Sequence, residues 1–309
     1  MIKEVVPVTI PKFIRKKALP LTPLPVQSKI GIERWLRGRE ECYRLDHADA
    51  VVLSYEKSGR TWLRVMLSYY YQCRYNLPEN RLLHYNKLHR LNAAVPIVMF
   101  THNRYLQYYT GSHESGYIHF ANKPVILLVR DPRDVAVSLY FHWLHRLTPH
   151  NKMLDNMPVD GSKLSMYEFV TGAQSGLPAI IAFMNRWLLQ SGDMPQLAMY
   201  RYEDLRVDTE THLASVLRTL GEQPAADEVS KVVAYADFEK MKQREQNGQV
   251  SDTRLAAGDI NNPDSFKARR AKIGGYRDYF DDRQIEHIDR LVDTTLDPAY
   301  RYHSRNGSD

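Results

Sequence analysis

The stretch Val51-Val52-Leu53-Ser54-Tyr55-Glu56-Lys57-Ser58-Gly59-Arg60-Thr61-Trp62 decides how this chain folds. Val51–Tyr55 reads as a short apolar strand. Past the loop a helical run begins near residue 60, with Leu63, Leu67 and Tyr70 recurring at spacings of three and four. Outward from it the alternation repeats, with strands expected at Val95–Phe100, Val125–Val129 and Leu197–Tyr202 and long amphipathic segments between them. Fully apolar strands alternating with helices predict an α/β fold: a P-loop-like parallel β-sheet flanked by helices on both faces, in a single domain.

In such a sheet the loop at 55–60 lies at the carboxyl edge of its strand, where ligands bind. A helix N-terminus there offers unpaired N–H groups and a positive dipole end, which suits an anion. Gly59 lets the backbone approach closely, Lys57 supplies a point charge, and Ser58 and Thr61 supply hydroxyls. The Walker A pattern needs a first glycine and then Gly-Lys-Ser/Thr. Here lysine precedes glycine and the first glycine is missing, so a nucleotide kinase loses most of its support.

A second element follows the strand at 125–129: Arg130-Asp131-Pro132-Arg133-Asp134, leading into a helix with Ser138 two turns on. Asp131 suits the N-cap and Pro132 the first helical position. A third is the basic run Arg269-Arg270-Ala271-Lys272-Ile273-Gly274-Gly275-Tyr276, inside a polar stretch that breaks the strand–helix alternation. An irregular stretch of that length reads as a loop with a task.

Together these residues resemble the sulfotransferase family, whose phosphosulfate loop has the form Tyr-Pro-Lys-Ser-Gly-Thr-Thr-Trp. Glu56 stands here where proline is usual and Arg60 where the first threonine is usual. The resemblance spans residues 51–280 in the expected order and implies 3′-phosphoadenosine 5′-phosphosulfate (PAPS) as sulfuryl donor, PAP as product, and no metal. It implies that Lys57, Ser58, Gly59, Arg60 and Thr61 hold the phosphosulfate while Trp62 stacks on the adenine. Arg130 and Ser138 take the 3′-phosphate, and Arg269, Arg270 and Gly274 fold over it. Tyr202, in Tyr202-Glu203-Asp204, lies near the adenine, and Phe238 stacks on it, with Ala236 where the family has a threonine. Ala271 replaces the loop's first glycine, so the loop is expected to close differently.

An acceptor hydroxyl must lose a proton as it attacks, and histidine near neutrality can take it. Thr101-His102 follows the second strand and resembles the family's Thr-His pair, making His102 the expected general base and Lys57 the charge on the leaving group. Many members carry a lysine before that pair. Phe100 stands there instead, leaving its role to another cation such as Arg60 or Arg104. His142 with His145, and His84 with His89, lack the third ligand and fixed geometry of a metal site.

The apolar fraction of 43% and charged fraction of 25% are those of a globular protein, and the net charge of +6 suits an anionic partner. No basic run is long enough to favour nucleic acid. Cys42 and Cys73 give no disulfide framework, no stretch spans a bilayer, and a cytoplasmic setting is expected. Residues 1–28, basic and proline-rich, read as an extended arm, with Lys12, Arg15, Lys16 and Lys17 able to touch an acidic membrane at its inner face. Residues 29–309 form the sulfotransferase-like domain. The acceptor pocket is expected from 103–120 and 141–180, with Arg104, Tyr105, Tyr108, Tyr109, His142, Trp143, His145 and Arg146. That mixture suits a glycan or glycolipid acceptor, and a phenol or alcohol is the alternative. A non-catalytic PAPS-binding protein is the second rival, against which His102 and Lys57 both stand. The family's dimer segment has no counterpart at Phe280-Asp281-Asp282, leaving the oligomeric state open.

Overall fold

A computed structural model describes residues 12–79, 81–159, 163–247, 259, 262, 264, 266 and 270–304. Four parallel strands, β1 (Ala50–Ser54), β2 (Val98–Thr101), β3 (Val125–Val129) and β4 (Leu197–Arg201), lie in the order β2-β1-β3-β4. In register, Val51 faces Met99 on one side and Val125 on the other. Because β2 and β3 flank β1 on opposite sides, connections diverge at the carboxyl end of β1 and open a crevice there.

Side chains alternate across this sheet. Val51, Leu53, Val125 and Leu127 pack on one face with Ile180, Met184 and Trp187 of the helix Leu177–Ser191, while Val52, Ile126 and Leu128 pack on the other with Leu63, Met66 and Leu67. Both faces are therefore dry, which explains why β1 and β3 read as unbroken apolar runs. The second strand starts at Val98 rather than Val95 because Pro96 precedes it, and Tyr202 begins a helix instead of ending β4.

Seven helices position the site: α1 (Val26–Asp46), α2 (Arg60–Tyr75), α3 (Pro132–His145), α4 (Leu177–Ser191), α5 (Tyr202–Val207), α6 (Phe238–Gln246) and α7 (Asp282–Thr295). The expected N-cap holds, since the Asp131 carboxylate accepts from Arg133 N at 2.9 Å with Pro132 opening α3. Asp281 caps α7 and completes a capping box with Gln284, which gives the acidic pair after Phe280 a local task.

The expectation of an extended arm over 1–28 does not hold for its described part. Ile14–Ala18 and Leu19–Leu21 are helical turns, Leu19 is buried, and α1 starts at Val26, ahead of the expected boundary at residue 29. Arg15 pairs with Glu40 at 3.1 Å and Lys29 Nζ donates to Pro20 O at 3.1 Å, so the segment folds back along α1. Its prolines do not prevent this, because Pro20 sits in the first turn and Pro25 at the N-cap, where no helical N–H is needed. No helix among the described residues is long and apolar enough to cross a membrane.

Candidate active site

The loop after β1 carries the backbone strain of the site. Lys57 has φ of +67° and Gly59 +91°, and α2 starts at Arg60 with no side chain capping it. Left-handed backbone at two positions three residues ahead of a helix turns the chain sharply and leaves the first N–H groups of α2 facing outward. A Cβ on residue 59 would stand 2.5 Å from Tyr202 Cδ2, so only glycine fits against that ring.

Beside this loop lies a cavity of about 410 Å³ whose walls include Lys57, Gly59, Arg60, Thr61, Trp62, His102, Arg130, Ser138, Tyr202, Phe238 and Arg270. Eleven residues expected from three separate stretches and their satellites thus meet in one place. Ser58 is buried behind the loop, with 2% exposure, and does not line the cavity. Arg269 lies outside the described residues.

Arg130 leaves β3 across the mouth of the loop. Its guanidinium lies 4.6 Å over the Tyr202 ring and donates to Lys57 O at 3.4 Å and Lys272 O at 3.1 Å, while its buried Nε has no hydrogen-bond partner. The basic loop is held by Asp134, whose carboxylate accepts from Gly274 N at 2.9 Å, Tyr276 N at 3.0 Å and Arg130 Nη2 at 3.3 Å. Burial pushes the Asp134 carboxyl up, against the pull of Arg130 and the two amides. Gly274 therefore serves as a hinge with φ of +70°, pinned by its N–H, and does not line the cavity. Ala271 takes φ of +48° despite its Cβ, so the loop closes over the site at some backbone cost. Arg270 reaches the cavity rim while paired with Asp278 at 2.5 Å. Arg133 turns away into the fold, bonded to Asp131, Asp289 and Tyr302 O.

At the other end, Trp62 Nε1 donates to Ala236 O at 2.8 Å, which fixes the indole plane. The Arg206 guanidinium, one turn past Tyr202, lies 5.5 Å over Trp62 and 5.6 Å over Phe238. Sequence reading missed Arg206; its spacing of four from Tyr202 on α5 was the available signal.

His102 is the best-defined group. Its Nδ1 lies 2.7 Å from Ser54 O, the last carbonyl of β1, and its Nε2 lies 2.6 Å from Arg60 Nη2. A carbonyl can only accept, so Nδ1 carries the proton and Nε2 presents a lone pair. Burial, together with the charges of Arg60 and Arg104, holds the imidazole well below its usual range, so it stays neutral. Burial also pulls Arg60 down to about 9. The preceding Thr101 donates to buried Glu41 of α1, which also accepts from Tyr105 N at 3.2 Å. Glu56, in the place of a proline, pairs with Arg104 at 2.8 Å, and Arg104 pairs in turn with Asp155 at 2.7 Å.

The expected acceptor wall is corrected by these contacts. Of the eight side chains expected there, only His142 is among the cavity's described lining residues. Arg104 is spent on Glu56 and Asp155, Tyr105 donates to Asp155 at 2.5 Å, and Trp143 is buried with its Nε1 on Pro158 O at 2.7 Å. The cavity runs instead along α2, past Arg64, Ser68 and Gln72, towards Met241 and Arg244 of α6. Arg64 lies 4.2 Å over the Phe100 ring. Cys42, Asp46 and His119 cluster closely enough to share an ion, but none of them lines this cavity.

A left-handed loop at the switch point of a parallel sheet, lined by arginines and faced by a neutral histidine, is thus the geometry against which known proteins can be compared. The model of the sulfotransferase domain matches residues 47–299, and the chain belongs to that family; by class it is a sulfotransferase. It is similar to flavonol 3-sulfotransferase of Flaveria bidentis, 24% identical over 85% of this chain and 88% of that one. It is also similar to sulfotransferase 1E1 of Cavia porcellus, 23% identical over 78% and 80%. Among solved structures it shares the fold of mouse sulfotransferase SULT7A1 complexed with PAP, with TM-score 0.54, 18% identity and 87% and 90% of the chains covered. Retinol dehydratase in complex with retinol and PAP gives TM-score 0.56 and 18% identity over 83% and 84%.

Proposed function

We propose that this protein transfers a sulfuryl group from PAPS to an acceptor hydroxyl, with PAP as product. The observation that carries the reading is the convergence of the Gly59 cradle, Arg130 and His102 on one cavity. The residues suit such a donor on two grounds. A Cβ would fill the cradle at Gly59, and the buried Arg60 Nη1 and Arg130 Nε beside it lack protein partners, as groups awaiting anionic oxygens do. When bound, the donor supplies an activated sulfuryl group and a stable leaving anion.

The chain's own residues then have separate tasks. The N-terminus of α2 and Lys57 hold the phosphate that leaves, and Arg130, Ser138 and the basic loop hold the 3′-phosphate. His102 Nε2 takes the hydroxyl proton as the acceptor oxygen bonds to sulfur, and the sulfur–oxygen bond to the donor phosphate breaks with its electron pair leaving on PAP. Lys57 stabilises that developing charge. Its Nδ1 bond to Ser54 O keeps the base in the tautomer this requires.

The polar and charged lining of Arg64, His142 and Arg244 favours a polyhydroxylated acceptor such as a glycan or glycolipid over an apolar phenol. Attachment to an acidic membrane surface, as at the inner face of a cell membrane, fits the N-terminal segment. Val5–Ile32 contains no Asp or Glu, and it exposes Phe13 by 64% and Leu21 by 86% beside Lys12, Lys16 and Lys17. Sedimentation with phosphatidylserine vesicles, but not phosphatidylcholine vesicles, checks this, and Phe13→Asp with Leu21→Asp should abolish it.

Calorimetric titration with PAP, against MgATP as control, tests the donor site. Metal-independent binding that weakens sharply in Arg130→Ala is the expected result, and preference for MgATP would overturn the assignment. A panel of glycan, glycolipid and phenol acceptors should then show turnover with wild type and none with His102→Ala, which keeps PAP affinity.

A further inference from the structure

We infer that Arg60 caps the His102 base and releases it when the donor's sulfuryl oxygens arrive, so that the base is uncovered only in the donor-loaded site. The inference rests on the function proposed above and adds a coupling between its two halves.

The atom that must take the acceptor's proton is already engaged. Arg60 Nη2 lies 2.6 Å from His102 Nε2, while Nδ1 is held by Ser54 O at 2.7 Å, leaving Nε2 as the acceptor of the guanidinium bond. Arg60 is the first residue of α2, so its side chain starts beside the helix N-terminus that cradles anions. It lines the cavity, and its Nη1 is buried without a hydrogen-bond partner among the described residues. One arm of the fork is spent on a neutral acceptor and the other is unspent.

That arrangement is unstable towards a sulfonate. A guanidinium fork bonds two anionic oxygens at once through parallel bonds, whereas its bond to the imidazole is a single one to an uncharged acceptor, so a sulfonate is the better partner. Carboxylates that could hold Arg60 instead are committed. Glu56 pairs with Arg104, and Glu41 takes Thr101 and the Tyr105 amide. The charged groups facing His102 are Arg60 and Arg64 from α2, Glu56 from the loop, with its Oε1 at 3.8 Å from Nε2, and Arg104 after β2. Of these, Arg60 contacts Nε2 directly and is also the one positioned to reach a sulfuryl group. Rotation of its fork towards the donor would expose the lone pair and place an acceptor hydroxyl where the guanidinium had been.

The test reads His102 itself. Protein labelled with 15N in its imidazoles is examined by NMR alone, with PAP and with PAPS, the His102 signals being assigned by their loss in His102→Gln. PAP lacks the sulfuryl group, so it should bind and leave the Nε2 resonance in place, whereas PAPS should shift it. In Arg60→Thr the free protein should already show the uncapped resonance, neither ligand should move it further, and His102 should titrate at higher pH. Arg60→Met, which carries neither charge nor donor, gives the same comparison should the threonine variant fold poorly. An Nε2 signal unmoved by PAPS that calorimetry shows to be bound would overturn the inference. So would a variant whose free protein has the wild-type resonance and titration. Failure of both PAP and PAPS to bind would instead remove the donor reading, while the comparison of free wild type with free variant still decides whether the cap exists.

Discussion

Replacing Asp134 by Asn should detach the basic loop, and Arg270 with it, from the donor site while deleting no donor-binding side chain. The Asp134 carboxylate holds Gly274 N at 2.9 Å, Tyr276 N at 3.0 Å and Arg130 at 3.3 Å. Asn keeps one accepting oxygen and turns an NH2 towards the second donor, so at least one charge-assisted bond is lost from a buried position. Such a bond is worth about 1.5–3 kcal/mol. Taking about 2 kcal/mol at 1.4 kcal/mol per decade, the closed loop loses roughly 30-fold in population relative to open forms. Apparent affinity scales with the competent fraction, so PAP binding should weaken by up to about 30-fold. Calorimetric titration measures that loss. Limited trypsin digestion gives an independent reading, since cleavage after Arg270, Lys272 or Arg277 should accelerate. PAP affinity within twofold of wild type, with unchanged cleavage, would refute the pinning role assigned to Asp134.

Gly59→Ala should abolish PAP binding and lower Tm by roughly 5 °C, because φ of +91° and a 2.5 Å approach to Tyr202 together cost more than about 2 kcal/mol; calorimetry and thermal unfolding check both. Ala271→Gly works in the opposite direction. Relief of φ at +48° should stabilise the closed loop by about 0.5–1 kcal/mol net and tighten PAP binding two- to fivefold in the same titration. The pH–rate profile of kcat/KM should keep its acid limb well below 6.5, because burial, then Arg60 and Arg104, disfavour the imidazolium. The sign for stability follows. Below about 6.5 the unfolded chain gains a proton on this residue that the native state refuses, so His102→Gln should lessen the loss of stability on acidification in denaturant titrations.

The donor half of the site was legible because it is written in short contiguous stretches. Residues 57–62 follow β1, and Arg130 follows β3 with Ser138 two turns on, so strand order brings these to one edge, whereas the loop around 270–274 follows no strand and was expected there from the family resemblance. The N-cap at Asp131 followed from local spacing in the same way. What stayed hidden depends on contacts across long separations. Asp134 holds Gly274 across 140 residues, and Arg104 finds Asp155 only after the segment between them has folded. Trp143 and Tyr105 were read as acceptor-facing because aromatic residues suit both cores and sugars. Burial and the Pro158 and Asp155 partners decide for the core, and no pattern along the chain shows them. The N-terminal segment was misread for a related reason, since prolines at first-turn positions cannot be told from prolines in extended chain without the ion pair to Glu40.

The bond from His102 to Ser54 O has a geometric consequence. Ser54 ends β1, and five residues later Gly59 makes the left-handed turn into the proposed anion cradle. The proposed base is thus tethered to the same short piece of backbone that carries the loop proposed to bind the leaving group. Bond lengths and two left-handed residues, rather than the packing of distant elements, set the span between proton acceptor and departing phosphate. A breathing motion that tilts β1 carries both ends together, as marks on one ruler move together. Substitutions that loosen the outer helices should therefore change how tightly the acceptor is held well before they alter the reach of the base.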